Sequence, residues 1–426
     1  MVKLREAKDS TEHLPIKKAK VPARVYLPLS QHFGKPCVPL VKVKDKVKEG
    51  QLIAAADSGL FSPIHASVSG TVASITDYPH PTLCRCKAVA VDWDGTEGGE
   101  NFKERASEDV DRLSAEEIRK IIFDAGIVGL GGAAFPTHIK LAPPKPINFF
   151  ILNGAECEPG LTNDSRLMVE NAQQIIQGAR LMAKALGNPQ CFVAIEDNKP
   201  EAIEKIRFAI QGAPFTLKIL KTQYPQGGEK QLVQSILKKE IPSGGLPFDI
   251  GVVVQNVATA FAVYEAVYKN KPLYERVITL TGTPLTNPGN FLVKVGTPLS
   301  FLLEGCGPLK EEIAKVIFGG PMMGVAQYTL EAPIVKATSG VVFFSRAEIV
   351  GREDRVCCRC GRCIDVCPAR IMPAMIGMAA EKENWAAAAS YDPLDCIECG
   401  LCSYICPARR DLVHLIKYAK SRVKAL

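Results

Sequence analysis

Two cysteine runs near the end of the sequence constrain this chain more than any other feature. Each run has the pattern C-x2-C-x2-C-x3-C-P. Three thiolates at this spacing can hold one face of an iron–sulfur cubane, and the fourth cysteine of each run reaches the cluster of the other run. The pattern therefore predicts two [4Fe–4S] centres. One is ligated by Cys357, Cys360, Cys363 and Cys406, and the other by Cys396, Cys399, Cys402 and Cys367.

A pair of structural zinc sites is the alternative interpretation of these cysteines. Zinc usually takes two C-x2-C pairs separated by a longer loop, which does not explain a repeated three-plus-one spacing followed by proline. Two cubanes this close together in sequence indicate one-electron transfer. Cys358 lies beside the first ligand but outside the spacing, so we expect it not to bind iron; an exchange with Cys357 is the alternative.

The composition is that of a globular chain with several domains. The 426 residues are 47% hydrophobic and 23% charged, which disfavours disorder. No apolar run reaches about 20 residues, so we expect no transmembrane helix. The N-terminal segment lacks the apolar core of a signal peptide. We therefore expect the 15 cysteines to stay in a reducing compartment, where metal binding is favoured over disulfides.

The net charge of +7 is concentrated towards the C-terminal end. Such a segment suits an acidic protein partner or an anionic membrane surface, and a solvated helix face is the plain alternative. No zinc-finger or RNA-binding signature accompanies it, so nucleic acid is not an expected partner. Apolar residues recur at helical spacing over 411–426, and we expect them to pack on the cluster domain; insertion into lipid is the alternative. The free basic face would then be Lys417, Lys420, Arg422 and Lys424.

The remaining sequence divides into regions of different periodicity. Residues 25–95 have the short apolar runs and Gly/Pro punctuation of an all-β unit. Ser114 and Glu117 form a capping-box pattern that begins a helix, and from there to about residue 275 apolar strands alternate with helices, which predicts a partly parallel α/β sheet. Short β segments return after that. Strands are expected at 41–44, 52–53, 71–75, 147–152, 191–195 and 250–254, and helices at 170–186 and 201–209.

A glycine-rich segment, residues 126–140 (GIVGLGGAAFPTHIK), is the second strong motif, and we call it the glycine loop. Its Gly129-x-Gly131-x-x-Ala134 pattern matches the dinucleotide fingerprint, but that fingerprint needs a preceding strand and here a helix precedes it. We therefore reject the Rossmann interpretation. The backbone of such a turn can approach a planar or phosphorylated ligand closely, and Lys140 could reach a phosphate. A tight connection without a ligand is the alternative.

Polar segments follow the predicted strands of the α/β region. Residues 153–160 (NGAECEPG) come after an apolar strand, at the kind of strand end where α/β domains bind ligands. The segments 226–231 (QGGEKQ) and 255–256 (QN) add two further polar loops. Each of these signals alone is weak, but together they could line one cleft.

At these residues the sequence resembles known families. The glycine loop, 153–160 and 227–229 are similar to the flavin and nicotinamide loops of the complex I flavoprotein subunit. The fuller resemblance is to the RnfC subunit of the Rnf complex, a membrane-bound ferredoxin:NAD+ oxidoreductase. It covers nearly the whole chain, and besides the glycine loop and the cysteine runs it includes segments 27–34, 62–70, 153–160, 196–200, 224–230, 242–247 and 319–324.

The resemblance implies a multidomain chain of α/β and β folds. Its expected parts are an N-terminal arm (1–24), a barrel-sandwich hybrid (25–100), a complex I flavoprotein-like FMN- and NAD(H)-binding α/β domain (110–275), a β-grasp, SLBB-like domain (276–345) and a two-cluster ferredoxin-like helical domain with a basic C-terminal helix (346–426). Two departures stand out: Ala134 occupies a position where the family often has glycine, and the family's N-terminal histidine–proline motif survives only as His13-Leu-Pro15.

The resemblance also implies the cofactors: non-covalent FMN, NAD(H) and two [4Fe–4S] clusters. A flavin is needed between the other two because NADH passes a two-electron hydride and cubanes pass single electrons. The catalytic expectation falls on Glu156 and Glu158, which carry over as residues near flavin or nicotinamide. The cofactor-binding residues that carry over are Gly129, Gly131, Gly132, Phe135, Lys140, Asn153, Glu229 and Asn256.

The function expected from the resemblance is electron transfer between NAD(H) and ferredoxin in an ion-translocating complex. The chain would lie peripherally on the cytoplasmic face of the cell membrane, with the membrane subunits and the ferredoxin-like subunit of the complex as partners. A soluble flavin and iron–sulfur cobalamin (corrinoid) reductase is the alternative with the same cofactor layout. A flavin-free electron-transfer scaffold is a third possibility, in which the glycine loop is purely structural.

Overall fold

A β-sandwich-like unit forms the first domain. The computed structural model describes residues 2–96, 102–349 and 356–424. Strand β1 (Ile16–Lys18) lies in the N-terminal segment. Two antiparallel sheets follow, in the orders β2-β8-β7-β4 and β3-β5-β6, and they enclose a core that includes Leu27, Ile53 and Val89. The strands are β2 (Arg24–Pro28), β3 (Val38–Pro39), β4 (Lys46–Val47), β5 (Leu52–Ala55), β6 (Ile64–His65), β7 (Gly70–His80) and β8 (Cys84–Trp93).

The strand expected at 41–44 is wrong. Lys44 has a left-handed backbone with φ of 78°, outside the β region of backbone conformations. The Asp45 carboxylate accepts a hydrogen bond of 2.7 Å from the Lys42 amide and closes a turn. The alternating valines at 41 and 43 imitate a strand pattern, but the local turn chemistry dominates, and pairing begins only at β4.

The central domain is an α/β unit, as the sequence pattern predicts, and its sheet, expected to be at least partly parallel, is parallel throughout. Its strand order is β11-β10-β9-β12. Its elements are α1 (Ser107–Arg112), α2 (Ala115–Asp124), α3 (Thr137–Lys140), β9 (Phe149–Gly154), α4 (Asn163–Glu170), α5 (Ala172–Ala185), β10 (Gln190–Glu196), α6 (Pro200–Ala209), β11 (Phe215–Leu220), α7 (Glu229–Leu237), β12 (Val252–Asn256) and α8 (Val257–Lys269).

Successive residues of these strands pack on opposite sides of the sheet. Phe150 and Leu152 of β9 join the larger core, which contains α5 and α8, whereas Ile151 between them joins the smaller core with Leu232 and Val233 of α7. Side chains on a strand alternate between its two faces, and here both faces are covered. The strands therefore appear in the sequence as uninterrupted apolar runs.

The expected capping box fixes the entry to the glycine loop. The Ser114 hydroxyl accepts from the Glu117 amide at 3.2 Å, and the Ser114 amide donates to the Glu117 carboxylate at 2.7 Å. These two bonds satisfy amide groups that the first turn of α2 would otherwise leave unpaired. Helix α2 then ends at Asp124, directly before the glycine loop. A helix, not a strand, precedes the loop, as the sequence predicts.

A mixed six-stranded sheet forms the third domain, in the order β1-β14-β13-β17-β15-β16. The N-terminal segment is part of this sheet, because β1 pairs in parallel with β14. The Thr162 hydroxyl donates a hydrogen bond of 2.9 Å to the Thr11 hydroxyl. This bond connects the N-terminal segment to the α/β domain as well. The elements new to this domain are β13 (Glu275–Gly282), β14 (Gly289–Lys294), α9 (Leu299–Gly305), β15 (Ile313–Phe318), β16 (Val325–Ala326) and β17 (Gly340–Ser345).

Short helices form the C-terminal domain around a small core. Helix α14 lies within the expected 411–426 segment, and its apolar residues Leu412, Ile416 and Ala419 are buried in the domain, as expected. No helix within the described ranges is long and apolar enough to span a membrane. The helices are α10 (Arg362–Asp365), α11 (Pro373–Glu381), α12 (Trp385–Ala389), α13 (Leu401–Ile405) and α14 (Leu412–Val423).

The expectation of a wholly free basic face on α14 is wrong. The Lys420 ammonium donates to the Glu398 carboxylate at 2.6 Å and to the carbonyl of Cys396 at 2.9 Å. Lys417 lies 3.3 Å from the same carboxylate. Two of the four bases therefore bind the second cysteine loop of the chain itself, and their pairing needs no external partner.

Candidate redox site

The eight cysteines of the two motifs, together with the extra Cys358, line two separate cavities. The first has a volume of about 400 Å³, and we call it the outer cluster site; its cysteines are Cys357, Cys358, Cys360, Cys363 and Cys406. We call the second the inner cluster site; its cysteines are Cys367, Cys396, Cys399 and Cys402. The last cysteine of each run thus lies with the first three of the other run. The structure brings together the four predicted ligands of each centre.

The two cysteine loops repeat the same backbone conformation. Arg359 and Glu398 both have left-handed backbones, with φ of 56° and 58°. Gly361 and Gly400 follow at the same relative position, with φ of 76° and 82°. Each loop then enters a short helix, α10 or α13. The repeat in sequence is therefore a repeat in geometry.

The donor set at each cavity fits a cubane. Each site offers four thiols of the type that holds [4Fe–4S] clusters. Burial raises the pKa of Cys399 to about 11 and that of Cys402 to about 12, so cluster binding has to displace their protons. In residues 2–96, 102–349 and 356–424, no three Cys, His, Asp or Glu side chains converge as they would around a single metal ion.

The glycine loop folds back on itself between α2 and α3. The Gly129 amide donates to the Phe135 carbonyl at 2.8 Å, and the Leu130 amide donates to the Thr259 hydroxyl in the first turn of α8 at 2.9 Å. A Cβ added at Gly131 would lie 3.1 Å from the Cβ of Asn256, whereas one at Gly132 would meet nothing within 4 Å. The loop is therefore packed on α8 along one side and bare on the other.

Two asparagines meet at the ends of neighbouring strands. Asn153 ends β9 beside Asn256 of β12, and the two are register partners. The Asn153 amide donates to the Gly227 carbonyl at 3.0 Å. Asn256 caps α8 by accepting from the Ala258 amide at 2.8 Å, and it donates to Asp164 at 2.6 Å. The carboxyl edge of a parallel sheet is where α/β domains bind ligands. Asn153 and Asn256, two of the predicted flavin residues, both lie at that edge.

The cation of the glycine loop has a partner. The Nζ of Lys140 lies 2.6 Å from Oε1 of Glu229, and the two side chains are 30% and 37% exposed. Glu229 begins α7. Two residues that the resemblance assigns to the cofactor site thus form an ion pair at the edge of the bare glycine backbone. An ammonium and side-chain amides are groups of the kind that bind a phosphate, so these residues are chemically suited to the predicted flavin phosphate.

The two candidate catalytic glutamates have different surroundings. The Glu156 carboxylate is buried and accepts from the Asp164 and Ser165 amides at 2.8 and 3.3 Å, so it caps α4. The Glu156 backbone carbonyl accepts from the buried Lys8 ammonium. Burial, together with the Glu156 charge, raises the pKa of Asp164 to about 7. No local pattern in the sequence indicates Asp164, because only the fold brings it to Asn256.

Glu158 points towards the third domain and the inner cluster site. Its carboxylate accepts from the Met322 and Met323 amides at 3.2 and 2.9 Å, and burial raises its pKa to about 7. The Tyr224 hydroxyl lies 3.4 Å from it and donates to the carbonyl of Cys399 at 2.7 Å. Tyr224 is not among the site residues that the sequence predicts. Its sequence signal is that it begins segment 224–230 of the family resemblance.

An aromatic contact joins the first domain to the glycine loop. The rings of Phe33 and Phe135 stack with centroids 6.0 Å apart, and the Phe33 amide donates to the Ala134 carbonyl at 3.0 Å. Phe33 is 62% exposed, so an apolar face remains open beside the loop. The loop between β2 and β3 therefore contributes to the edge of the predicted cofactor site.

Four family models match consecutive parts of the chain. They are the RnfC barrel sandwich hybrid domain at 2–96, the Nuo51 FMN-binding domain at 122–265, the SLBB domain at 277–326 and the 4Fe-4S dicluster domain at 349–411. These matches confirm the expected fold class. They also confirm FMN and iron–sulfur clusters as cofactors, with NAD(H) binding consistent with them.

Related proteins match over almost the whole chain. It is 45% identical to the subunit designated C of the proton-translocating ferredoxin:NAD(+) oxidoreductase complex of Clostridium ljungdahlii, over 99% of this chain and 92% of that protein. It is 42% identical to the counterpart in the Na(+)-translocating complex of Acetobacterium woodii, over 98% and 95%. The corrinoid-reductase alternative is not favoured by these relatives.

The fold is also found in a solved structure. The crystal structure of an NAD+-reducing [NiFe]-hydrogenase in the H2-reduced state matches 77% of this chain and 67% of that chain, with a TM-score of 0.54 and 19% identity. At this identity the likeness shows the fold alone. On the strength of the two near-full-length relatives, the chain belongs to the RnfC family, whose members are subunits of ion-translocating ferredoxin:NAD+ oxidoreductase complexes.

Proposed function

We propose that this chain is the NAD(H)-linked electron-transfer subunit of a membrane-bound ferredoxin:NAD+ oxidoreductase. It passes electrons between NAD(H), FMN and two [4Fe–4S] clusters in a complex that couples the transfer to ion translocation. One observation carries the proposal: Tyr224, next to the flavin-type loops of the α/β domain, donates to the carbonyl of the predicted cluster ligand Cys399. The flavin and cluster modules are therefore in direct contact within one chain.

The residues of the chain would bind and orient the cofactors. Lys140 would neutralise the flavin phosphate beside the bare backbone of Gly132, and Asn153 and Asn256 would hold the strand ends to which the loop is fixed. When bound, FMN supplies the exchange between two-electron and one-electron transfer. Phe135 offers an apolar ring at the same edge.

The glutamates would act by different means. Glu156 is a positioning residue, because its carboxylate is occupied by the amides of α4. Glu158 is held by the amides of the 319–324 loop and faces Tyr224, so it fixes the packing between the flavin and cluster modules. The role of both residues is part of this proposal.

Attachment to the membrane would come from the other subunits of the complex, on the cytoplasmic face. The exposed bases that remain at the end of α14, Arg422 in its last turn and Lys424 just after it, suit an acidic partner surface. The membrane subunits and the ferredoxin-like subunit are the partners that the family name implies.

The direct test is cofactor content combined with NADH-dependent dye reduction by the anaerobically reconstituted full chain. We expect stoichiometric FMN, two reducible [4Fe–4S] signals in EPR and reduction of a one-electron dye by NADH. A flavin-depleted sample of the same preparation is the control and should lose the dye reaction while its iron content persists. Bound clusters without bound FMN would favour the scaffold alternative. Failure of NADH to reduce the dye would contradict the proposal.

A further inference from the structure

Residues 2–11, which we call the strap, contact the loops that follow three strands of the parallel sheet. Val2 exchanges two backbone hydrogen bonds with Tyr224, which follows β11, at 2.9 and 2.7 Å. The Glu6 carbonyl accepts from the Gly160 amide at 2.8 Å, and the Glu6 carboxylate accepts from the Asn198 side chain at 2.7 Å. Gly160 follows β9 and Asn198 follows β10. The strap therefore lies at the sheet edge where α/β domains bind ligands.

Lys8 is the buried cation of the strap. It is 5% exposed, whereas Lys3 and Arg5 in the same segment are exposed. The Lys8 ammonium donates to the backbone carbonyl of Glu156 and lies 3.8 Å from the carboxylate of the same residue. A buried ammonium is costly unless it is paired and hydrogen-bonded, so the folded chain has to keep these contacts. Lys8 therefore fixes the 153–160 segment at Glu156.

The contact at Glu156 continues to the glycine loop through a series of hydrogen bonds. The Glu156 carboxylate accepts from the Asp164 amide at 2.8 Å, and the Asp164 carboxylate accepts from the Asn256 side chain at 2.6 Å. Asn256 packs against Gly131, where an added Cβ would lie 3.1 Å from the Asn256 Cβ. Two predicted flavin residues are therefore connected to Lys8 through these two carboxylates.

The other end of the strap contacts a second group of predicted cofactor residues. Val2 pairs with Tyr224, which begins the segment 224–229. Within that segment, the Gly227 carbonyl accepts from the Asn153 side chain at 3.0 Å, and Glu229 forms the ion pair with the lysine of the glycine loop. Both ends of the strap thus contact segments that carry residues assigned to the cofactor site.

The strap is also anchored outside the α/β domain. The Asn290 side chain of β14 donates to the carbonyl of Thr11 at 2.9 Å, and β1 pairs with the same strand a few residues later. The Thr162 hydroxyl lies 2.9 Å from the side-chain oxygens of both Thr11 and Asn290. The third domain therefore sets the position of the strap, and the strand-end loops are held against a fixed segment.

We propose that the strap is a positioning element of the cofactor site, and that Lys8 is the positioning residue that holds Glu156 and the 153–160 segment in the arrangement that receives FMN. The inference rests on the proposed function, since it assigns the strap to the flavin site. Lys8 acts through Glu156 and not by contact with the flavin. Loss of its ammonium leaves the buried Glu156 carbonyl without this donor, which loosens the loop.

FMN binding by the reconstituted full chain tests the role of Lys8. After removal of the flavin, titration with FMN and quenching of its fluorescence give the Kd. In Lys8→Met the Kd should rise at least about tenfold, the cost of one buried hydrogen bond to a charged group. Lys8→Arg retains a cationic donor and should recover most of the affinity. The matched control is Lys3→Met, the same change at an exposed position of the strap, which should keep the wild-type Kd.

Two further measurements separate positioning from stability. In flavin-free Lys8→Met, held well below its melting temperature, the backbone amides of 153–165 should exchange with solvent faster than in the wild-type protein. The amides of the cluster domain should exchange at the wild-type rate. A lower melting temperature with an unchanged Kd for FMN would show that the strap only stabilises the fold, and the proposal would be wrong.

A second variant covers the case in which Lys8→Met does not fold. Glu6→Ala removes the half-buried carboxylate that bonds Asn198, and we expect the Kd for FMN to rise about threefold. An unchanged Kd in Glu6→Ala would then overturn the role of the strap. Failure of the wild-type protein itself to bind FMN would contradict the proposed function, whereas FMN binding that is equal in wild type and Lys8→Met contradicts the role of the strap alone.

Discussion

Lys140 and Glu229 lie 89 residues apart in sequence, and yet their charged groups are 2.6 Å apart at the edge of the glycine loop. The pair is about one third exposed, so its own contribution to stability is small. The pair fixes the position of the lysine ammonium to which the proposed function assigns the flavin phosphate. The pair also couples the glycine loop to the first turn of α7.

Reversing the charge of Lys140 should release FMN. In Lys140→Glu a carboxylate would face both Glu229 and the flavin phosphate, so we expect the Kd for FMN to rise at least about tenfold, or 1.4 kcal/mol. Iron content should persist, because the cluster domain is separate. Flavin fluorescence after desalting measures the loss. The matched control is Lys145→Glu, which breaks the exposed 2.7 Å pair with Asp249 in the same domain. Undiminished FMN in Lys140→Glu would remove Lys140 from the site.

Ligation should cross between the two cysteine runs. Because Cys367 lines the inner site, Cys367→Ser should damage the inner cluster and leave the outer EPR signal intact. Cys358→Ala is the control and should leave both signals unchanged. Loss of the outer signal alone in Cys367→Ser would show that each run binds its own cluster, and loss of either signal in Cys358→Ala would make Cys358 a ligand.

A buried lysine should make stability depend on pH. Lys336 is 1% exposed, and its ammonium donates to the carbonyls of Pro63 and Gly126 at 2.6 and 2.7 Å. Burial lowers its pKa to about 7, below the ordinary value of 10.5, so the unfolded chain binds more protons between these values. Stability attributable to this group should therefore rise as the pH increases from about 7 to about 10.5.

The lysine can be tested by thermal unfolding at a series of pH values. In Lys336→Met the melting temperature should no longer rise between pH about 7 and about 10.5, because the titrating group has been removed. Lys145→Met, at a half-exposed position, should retain the slope of the parent protein. An unchanged slope in Lys336→Met would show that another group causes it.

The alanine that departs from the family pattern should be a strained position. Ala134 has φ of 49°, in the left-handed region where a side chain costs about 1–2 kcal/mol. Glycine removes that cost but loses more conformational entropy on folding, about 0.5–1 kcal/mol. We expect Ala134→Gly to raise the free energy of unfolding by about 0.5 kcal/mol in urea. Ala142→Gly, at an exposed position outside the left-handed region, should lower it. Destabilisation by Ala134→Gly would contradict the strain.

The basic end of α14 should contribute to docking in proportion to its unpaired charge. Arg422→Glu together with Lys424→Glu should weaken salt-sensitive sedimentation with membranes that contain the partner subunits. Lys417→Gln should have a smaller effect, because that lysine already lies beside Glu398. Equal binding to bare anionic vesicles, unaffected by removing the partners, would refute protein-mediated docking.

The features of this molecule that could be predicted from the sequence are those that depend on residues close together in the chain. The cysteine spacing, the Ser114–Glu117 capping box and the parallel strands all follow from residues within a few positions of one another. The other features depend on contacts between residues far apart in the chain, and such contacts do not produce a local sequence pattern. The hydrogen bond from the Tyr224 hydroxyl to the Cys399 carbonyl joins residues 175 positions apart, and no local pattern at either residue predicts it. The strand wrongly predicted at 41–44 shows that a local pattern can also mislead. The valines there alternate as in a strand, but the residues form a turn.

The N-terminal segment has a consequence for the synthesis of this protein. Asn290 donates to the carbonyl of Thr11, 279 positions earlier, and β1 pairs only with β14. At translation speeds of about 5–20 residues per second, Thr11 leaves the ribosome roughly 15–55 s before its partner does. During that interval the first residues have no sheet to join, although the α/β domain can already form. The segment around Thr11 can therefore join the third domain only after β14 has been synthesised.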